Sequence, residues 1–189
     1  SPLMYYTKII DDEDMNQSMF EYLRDFDYEF IFESDNLIET KYSNNLLGVS
    51  QFNKFVKIVE KFTREKTIEI FEDSHSYNPY KDFNRDMKIL AKNLYVRSQK
   101  CFVMWGLRNK SGDSFSVHNH WPSTWSFSYY LNPPEGASGL YFPDNDEEVK
   151  IEHGLLILFK GDTLHGVKKS NYDGYRYCVS GNISPKFHA

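Results

Sequence analysis

The stretch CFVMWGLRNKSGDSFSVHNHWPSTWSFSYYL, residues 101–131, decides the fold class. It consists of three strand-length apolar and aromatic runs, separated by the turn sequences RNKSGD and WPS. The alternation continues through LYF, EEVKIE, LLILF, LHGVKK and YRYCVSGNI, which gives about eight short strands in some eighty residues, as in a sandwich or barrel. LLILF is apolar at every position, which predicts a central strand covered on both faces.

Before about position 100, helical periodicity dominates the sequence. One apolar stripe follows Ser50, a predicted N-cap, and consists of Phe52, Phe55, Val56, Val59 and Phe62. A second stripe consists of Phe83, Met87, Leu90 and Leu94. A shorter helix is expected over 15–23, and YEFIFE after it reads as a strand. We therefore expect one domain over 1–189, with a mostly helical support region at 1–100 outside a β core at 101–184.

Composition narrows the classes of partner and compartment. The chain has 189 residues and a net charge of −5, which argues against a nucleic-acid partner because no basic footprint is evident. No apolar run approaches the roughly 20 residues of a membrane helix, and no secretory segment opens the chain. Cys101 and Cys178 are too few for a disulfide framework, which favours a cytoplasmic location. The oligomeric state stays open.

Three histidines stand at positions that suit a metal site. His118 and His120 are two residues apart, and residues i and i+2 of a strand point to the same face. One cation inside a barrel could receive both imidazoles, although two histidines also share a face by accident. His165 begins the strand LHGVKK, directly after the buried run and the turn KGDT. This third histidine strengthens the prediction of a metal centre.

Arg176 lies inside the apolar and aromatic strand YRYCVSGNI. A buried arginine is costly unless an anion pairs with it, and the alternative is an edge-strand arginine that points to water. Strand parity puts Arg176, Cys178, Ser180 and Asn182 on one face. That polar face would make a poor core but a reasonable pocket.

From about residue 104 to 183 the chain resembles the Fe(II)/2-oxoglutarate-dependent oxygenase superfamily. It is most similar to the prolyl-hydroxylase-like branch and to the small oxygenases of bacteria and phages. The matching pieces occur in the family's order: MWGLRNKSGDSFSVHNHWP, SFSYYLNPPEGASGLYF and GLLILFKGDTLHGVKKSNYDGYRYCVSGNI. The resemblance implies a mainly β fold with flanking helices around a double-stranded β-helix, a jelly-roll core like that of cupins.

The resemblance also implies the site and the chemistry. His118 would be the first metal ligand and His165 the distal one, and Arg176 would bind the far carboxylate of 2-oxoglutarate. The Tyr130 hydroxyl would join that carboxylate, and Ser128, on the same face, would line the pocket. The implied cofactors are Fe(II), 2-oxoglutarate and O₂. The implied reaction hydroxylates a small-molecule or peptide substrate, with a prolyl side chain as the first candidate, and releases succinate and CO₂. Desaturation and halogenation stay open.

Two positions depart from the family pattern. The usual motif is His-x-Asp or His-x-Glu, whereas this chain has His120 at the carboxylate position. Either His120 is the third metal ligand, or it points away and leaves two protein ligands. A third imidazole neutralises none of the metal's charge, so a bound dianion would have to do so. Cys178 stands where many relatives have a serine, and a thiol is a weaker donor.

Two other functions fit the same β core. A cupin-type three-histidine metal dioxygenase would need no 2-oxoglutarate, and a catalytically degenerate β-helix would serve as a binding module. Arg176 discriminates, because it has a defined role only if a dicarboxylate binds. Trp121, Trp125 and Tyr141 are candidates for stacking on a substrate at the mouth of the site, or are ordinary packing residues.

Overall fold

The computed structural model describes residues 5–27, 29–32, 37–39, 45–72 and 85–186. The helices are α1 (Glu13–Asp25), α2 (Asn53–Glu72) and α3 (Arg85–Ser98). The strands are β1 (Tyr5–Ile9), β2 (Glu29–Phe32), β3 (Leu37–Glu39), β4 (Gln99–Asn109), β5 (Phe115–His118), β6 (Trp125–Leu131), β7 (Leu140–Phe142), β8 (Glu147–Val149), β9 (Leu155–Lys160), β10 (His165–Val167) and β11 (Arg176–Pro185). None of the helices in the described part of the chain has the length and apolarity needed to cross a bilayer.

Within the described residues the strands form two antiparallel sheets. The major sheet has seven strands in the order β1-β9-β6-β11-β4-β3-β2, and the minor sheet has four in the order β5-β10-β7-β8. The sheets belong to a double-stranded β-helix, so the predicted fold class is confirmed. The strand-length runs after residue 100 became β4 to β11.

The helices cover the outer face of the major sheet, as expected. On α2, the Phe55 ring centroid lies 4.6 Å from that of Tyr129 and 5.9 Å from that of Phe127, both on β6. Met19 and Leu23 of α1 are fully buried in the same cluster. Large aromatic and aliphatic side chains therefore join the helical layer to the sheet.

The second predicted stripe is wrong as a core-facing surface. Met87, Leu90 and Leu94 of α3 are all exposed, and Phe83 lies outside the described residues. The inward contacts of α3 come from its C-terminal turn, where Val96 is buried. The Tyr95 ring in that turn also lies 5.5 Å from the Phe71 ring of α2. Helical spacing gave the element but not the face that packs.

Two N-terminal details also differ from the sequence predictions. Residues 5–9 form β1, which was not predicted and which pairs with β9 along its whole length. Its first two side chains point to opposite faces, since Tyr5 stacks on Phe142 at 5.1 Å and Tyr6 meets Trp125 edge-on at 6.1 Å. Ser50 is not an N-cap, because it begins a single 3₁₀ turn, Ser50–Phe52, that leads into α2. The predicted strand YEFIFE corresponds to β2.

The buried run LLILF is covered on both faces, as predicted. Leu156 and Leu158 join the cluster under the helices, whereas Leu155, Ile157 and Phe159 join a second cluster between the two sheets. β9 lies second from the sheet edge, because β1 flanks it. The second cluster does not fill the space between the sheets, and the remaining volume is the cavity described next.

Candidate functional site

A cavity of about 330 Å³ opens between the two sheets. This is within the size range of small-molecule sites, which is roughly 300–1,000 Å³. Three imidazoles and one guanidinium line it, from His118, His120, His165 and Arg176. None of the described residues that line it is acidic. The cavity wall therefore carries positive charge and nitrogen donors.

The strand register brings His118 and His165 together. They are direct partners in the antiparallel pair β5 and β10, and their ring centroids lie 4.4 Å apart. The His120 ring lies 5.0 Å from each of them. One ligand nitrogen from each residue can be chosen so that all three lie within 4.8 Å of one another. The three predicted histidines thus form one cluster.

His120 reaches this cluster from a loop and not from a strand. The expectation that His118 and His120 share a strand face is wrong, because β5 ends at His118. The backbone N–H of His120 donates to the Gly161 carbonyl at 2.8 Å, which holds the loop against the turn after β9. A Cβ on Gly161 would lie 1.8 Å from the Ser123 carbonyl oxygen, so this close approach requires glycine.

Backbone carbonyls fix the tautomers of two of these rings. The Nδ1 atom of His118 lies 2.7 Å from the Ser116 carbonyl oxygen, and that of His165 lies 3.0 Å from the Thr163 carbonyl oxygen. A carbonyl only accepts, so each Nδ1–H is the donor and each Nε2 keeps a free lone pair. Such backbone contacts orient histidines that ligate metals.

His165 and His120, the two more buried histidines of the cluster, are uncharged at neutral pH. Burial lowers the pKa of His165 to about 3 and that of His120 to about 4, and repulsion from His118 adds to both shifts. Neutral imidazoles suit divalent iron, nickel, copper and zinc. A metal with bonds of about 2.1 Å joins cis donors about 3 Å apart, so the ligand nitrogens, which lie within 4.8 Å of one another, would draw closer together around a metal ion. The residues therefore fit a divalent transition-metal ion.

Arg176 is held rigidly with one nitrogen left over. Its side chain is 2 % exposed. Nε donates to the Ser138 carbonyl at 2.8 Å, and Nη1 donates to Oδ1 of Asn109 at 3.2 Å. No described residue accepts a hydrogen bond from the buried Nη2. A buried guanidinium with a spare donor fits an anion with an acceptor oxygen.

The side chains around Arg176 follow the predicted parity. Cys178 and Ser180 line the cavity beside it, with Sγ and Oγ 3.4 Å apart, whereas Val179 is in the cluster under the helices. Ser128 and Tyr130 line the same cavity from β6. The guanidinium carbon lies 5.1 Å from the centre of the Tyr130 ring. Burial raises the pKa of Tyr130, so its phenol stays protonated and can donate.

Comparison with known proteins supplies the fold family. No protein-family model matches the sequence, and no curated protein matches it. Solved structures do match over nearly the whole chain. The viral collagen prolyl hydroxylase vCPH from Paramecium Bursaria Chlorella virus-1, in complex with 2OG, has a TM-score of 0.63 and 16 % identity, covering 96 % of each chain.

Two further structures give the same result. A Pseudomonas putida prolyl-4-hydroxylase has a TM-score of 0.62 and 11 % identity, covering 97 % of this chain and 94 % of its own. HygX from Streptomyces hygroscopicus, with nickel, 2-oxoglutarate and hygromycin B bound, has a TM-score of 0.61 and 12 % identity, covering 98 % of this chain and 84 % of its own. This chain has the 2OG-Fe(II) oxygenase fold. At these identities the likeness establishes the fold.

The three aromatic residues predicted at the mouth separate into different environments. Trp121 is 74 % exposed, next to His120 in sequence. Trp125 is 1 % exposed and faces the helices, where its Nε1 donates to Oγ1 of Thr67 at 3.2 Å. The proposed stacking role is therefore wrong for Trp125, which shares the face of Tyr129 by strand parity. Tyr141 does not line the cavity, and its hydroxyl donates to Asp146 at 2.8 Å.

Sequence reasoning missed the residues that hold Arg176 in this oxygenase fold. Asn109 is the direct cross-strand partner of Arg176 in the pair β4 and β11. It shares the parity of Trp105 and Leu107, both of which line the cavity. That parity, read along CFVMWGLRN, was the available signal. The Ser138 contact uses a backbone carbonyl, which no side-chain pattern reveals.

Proposed function

We propose that this protein is an Fe(II)- and 2-oxoglutarate-dependent dioxygenase, which hydroxylates its substrate and releases succinate and CO₂. One observation carries the proposal: three histidines able to bind one metal and a buried arginine with a spare donor line the same cavity. The fold shared with the solved oxygenases supports it.

Each side chain has a defined part in this proposal. His118, His120 and His165 would hold the iron, which supplies dioxygen activation when bound together with the cosubstrate. Arg176 binds the far carboxylate of 2-oxoglutarate through Nη2, while Ser138 and Asn109 keep its plane fixed. Tyr130 stays protonated and donates to the same carboxylate, and Ser128 lines the pocket beside it. The chain's task is to position the reactants.

The charge balance of the cavity favours a dianionic cosubstrate. Three neutral imidazoles neutralise none of the two positive charges of Fe(II), and no described lining residue is acidic. Arg176 adds a third positive charge. A dicarboxylate supplies two negative charges at the two places where positive charge is concentrated. This matching supports 2-oxoglutarate as the cosubstrate.

For the substrate we propose a prolyl or other peptide side chain. Two of the solved structures compared above are prolyl hydroxylases, and a third such match is a Trichoplax adhaerens enzyme in complex with a hypoxia inducible factor peptide fragment. The exposed ring of Trp121, near the loop that carries His120, offers a stacking surface for a proline ring. HygX, with hygromycin B bound, makes a small molecule the other candidate.

The first experiment is anaerobic reconstitution of the protein with Fe(II) and 2-oxoglutarate. A weak visible metal-to-ligand charge-transfer band is expected in the wild type and not in His165→Ala or Arg176→Ala. Absence of the band from the folded wild type would contradict the proposal. A positive result leads to a succinate assay with proline-rich peptides, in which mass spectrometry should find a gain of one oxygen atom.

The three-histidine donor set itself favours one alternative, a cupin-type metal dioxygenase that uses no 2-oxoglutarate. That enzyme would bind iron without 2-oxoglutarate affinity, whereas a binding module without catalysis would bind no stoichiometric iron.

We also propose that residues 1–189 act as one domain in which 1–100 supports the core. The free buried thiols of Cys101 and Cys178 support a reducing, cytoplasmic setting.

A further inference from the structure

His120 is the one histidine of the cluster that lies outside a strand. His118 and His165 lie on β5 and β10, where the register of the strand pair fixes their backbones. His120 lies in the loop between β5 and β6, where its N–H donates to the Gly161 carbonyl at 2.8 Å and its carbonyl accepts from the Ser123 N–H at 2.9 Å. The position of the His120 ring therefore depends on what fixes this loop and the turn at Gly161.

Thr124 ties the same loop to the turn at Gly161. Its carbonyl accepts from the Gly161 N–H at 3.0 Å, and its own N–H donates to the Ile183 carbonyl of β11 at 2.9 Å. The Gly161 peptide groups thus accept from His120 on one side and donate to Thr124 on the other. A shift of Thr124 would move Gly161, and with it the carbonyl that holds His120.

A buried amide anchors the side chain of Thr124. Oγ1 of Thr124 lies 2.7 Å from Oε1 of Gln99 and 2.9 Å from the Ile183 carbonyl oxygen. A hydroxyl has one proton, and the Ile183 carbonyl already accepts from a backbone N–H, so the shorter contact to Gln99 takes the hydroxyl proton. Gln99 is 0 % exposed, and its Nε2 donates at 3.3 Å to the Tyr95 carbonyl in the last turn of α3. The Tyr95 carbonyl only accepts, which fixes the orientation of the amide.

We infer that Gln99 and Thr124 are positioning residues of the metal centre, which set the place of the His120 ring through Gly161. Hydrogen bonds join the end of α3 to the one histidine of the cluster that no strand carries. Neither Gln99 nor Thr124 is among the residues that line the cavity, so both act through His120 and touch no reactant. This inference rests on the metal site of the proposed function, because it names the residues that orient one of its ligands.

Removal of the Thr124 hydroxyl should loosen His120 without removing a ligand. Thr124→Val keeps the size and branching of the side chain and lacks the donor. Residues that orient metal ligands from outside the coordination sphere contribute roughly 10- to 100-fold in metal affinity, and we expect about tenfold for this indirect path. Gln99→Met removes the acceptor and should give the same loss, whereas Thr124→Ser keeps the hydroxyl and should bind nickel as the wild type does.

The test is the nickel affinity of the full chain, measured by competition with chelators of graded strength, with and without His120. Thr124→Val should lower nickel affinity about tenfold in the wild-type background and leave it unchanged in the His120→Ala background, because the coupling requires the His120 ring. Thr63→Val is the matched control, since it also removes a buried hydroxyl, one that donates to the Val59 carbonyl at 2.8 Å within α2. It should leave nickel affinity unchanged in both backgrounds.

Cobalt-loaded protein gives a second readout that does not depend on affinity. At saturating cobalt, the visible absorption spectrum of Thr124→Val should depart from that of the wild type towards that of His120→Ala, because the third imidazole coordinates the ion less fully. Thr124→Ser and Thr63→Val should keep the wild-type spectrum. Gln99→Met supplies the same comparison if Thr124→Val does not fold.

Three outcomes decide against the inference. A folded Thr124→Val variant with wild-type nickel affinity and the wild-type cobalt spectrum would overturn it. An equal loss of nickel affinity with and without His120 would show a general loosening of the structure and would overturn it as well. A wild type that binds no nickel would overturn the proposed function together with the inference, whereas the first two outcomes leave the proposed function standing.

Discussion

Replacing Arg176 by methionine should abolish selective binding of 2-oxoglutarate while the fold persists. Methionine keeps most of the length and apolar volume of the side chain but has no donor. Arg108 offers a matched control, because it is the neighbouring arginine in the same sheet. It lies across from Tyr177, on the opposite face, with its guanidinium 4.4 Å from the Tyr175 ring centre.

The size of the effect follows from the buried position of Arg176. Arg176→Met removes one to two hydrogen bonds to a charged group, each of about 1.5–3 kcal/mol, and leaves the carboxylate without a charged partner beside a buried side chain. Breaking one partner of a buried ion pair costs about 3–5 kcal/mol. This corresponds to roughly 150- to 5,000-fold in the dissociation constant of 2-oxoglutarate.

The assay is calorimetric titration of the nickel-loaded variants with 2-oxoglutarate, alongside urea unfolding to confirm that each variant is folded. Arg108→Met should bind 2-oxoglutarate within about threefold of the wild type. If the two methionine variants lose affinity equally, or if Arg176→Met loses less than tenfold, the assignment of Arg176 to the carboxylate is refuted.

Four further predictions concern the metal cluster and the loop that supports it. His165→Ala should lower bound nickel from about one equivalent towards zero by elemental analysis, whereas His153→Ala, outside the cluster, should not. Three neutral ligands leave the charge of the metal intact, so saturating 2-oxoglutarate should raise the affinity for nickel at least about tenfold. His120→Asp should reduce that gain, because the aspartate already neutralises part of the charge. Competition with a chelator measures both affinities. Without metal, the free energy of unfolding should fall as pH drops from about 6.5 towards 4, because the unfolded chain binds protons that buried His120 and His165 resist. Urea titrations at several pH values check this, and an equal slope in a His120→Gln/His165→Gln double variant would contradict it. Finally, Gly161→Ala should cost about 3 kcal/mol or more in urea unfolding because its Cβ meets a backbone carbonyl, whereas Gly48→Ala, with open space around it, should cost little.

Sequence patterns indicated which residues line the cavity better than they indicated how the surrounding elements pack. His118, His165 and Arg176 could be found because each is a polar residue within or beside an apolar strand, and strand parity gave the shared face of Arg176 and Cys178. The reason for the proximity of His118 and His165 was not predictable, since it depends on the register between β5 and β10, which no local pattern encodes.

Errors occurred where tertiary contacts decide the outcome. β1 was missed although Tyr, Thr and Ile in YYTKI favour strands, and its position in the fold is set by the edge of β9 with which it pairs. Trp125 looked like a residue of the mouth because it is near the histidines in sequence, but its face belongs to the helix layer. In α3 the apolar stripe is real, yet the helix docks through its last turn.

β1 belongs to the part of the chain before residue 100, and β9 belongs to the part after it. The pairing of these two strands therefore joins the two parts within one sheet. A fragment that begins at residue 100 would keep every histidine and arginine of the cluster but would leave the backbone of β9 without its outer neighbour. Such a bare strand, apolar on both sides, is a template for self-association. Versions of this protein shortened to begin at residue 100 should therefore precipitate. A bulky fusion partner placed directly before Tyr5 could disturb the pairing of β1 with β9, so a flexible spacer should separate the fusion partner from Tyr5.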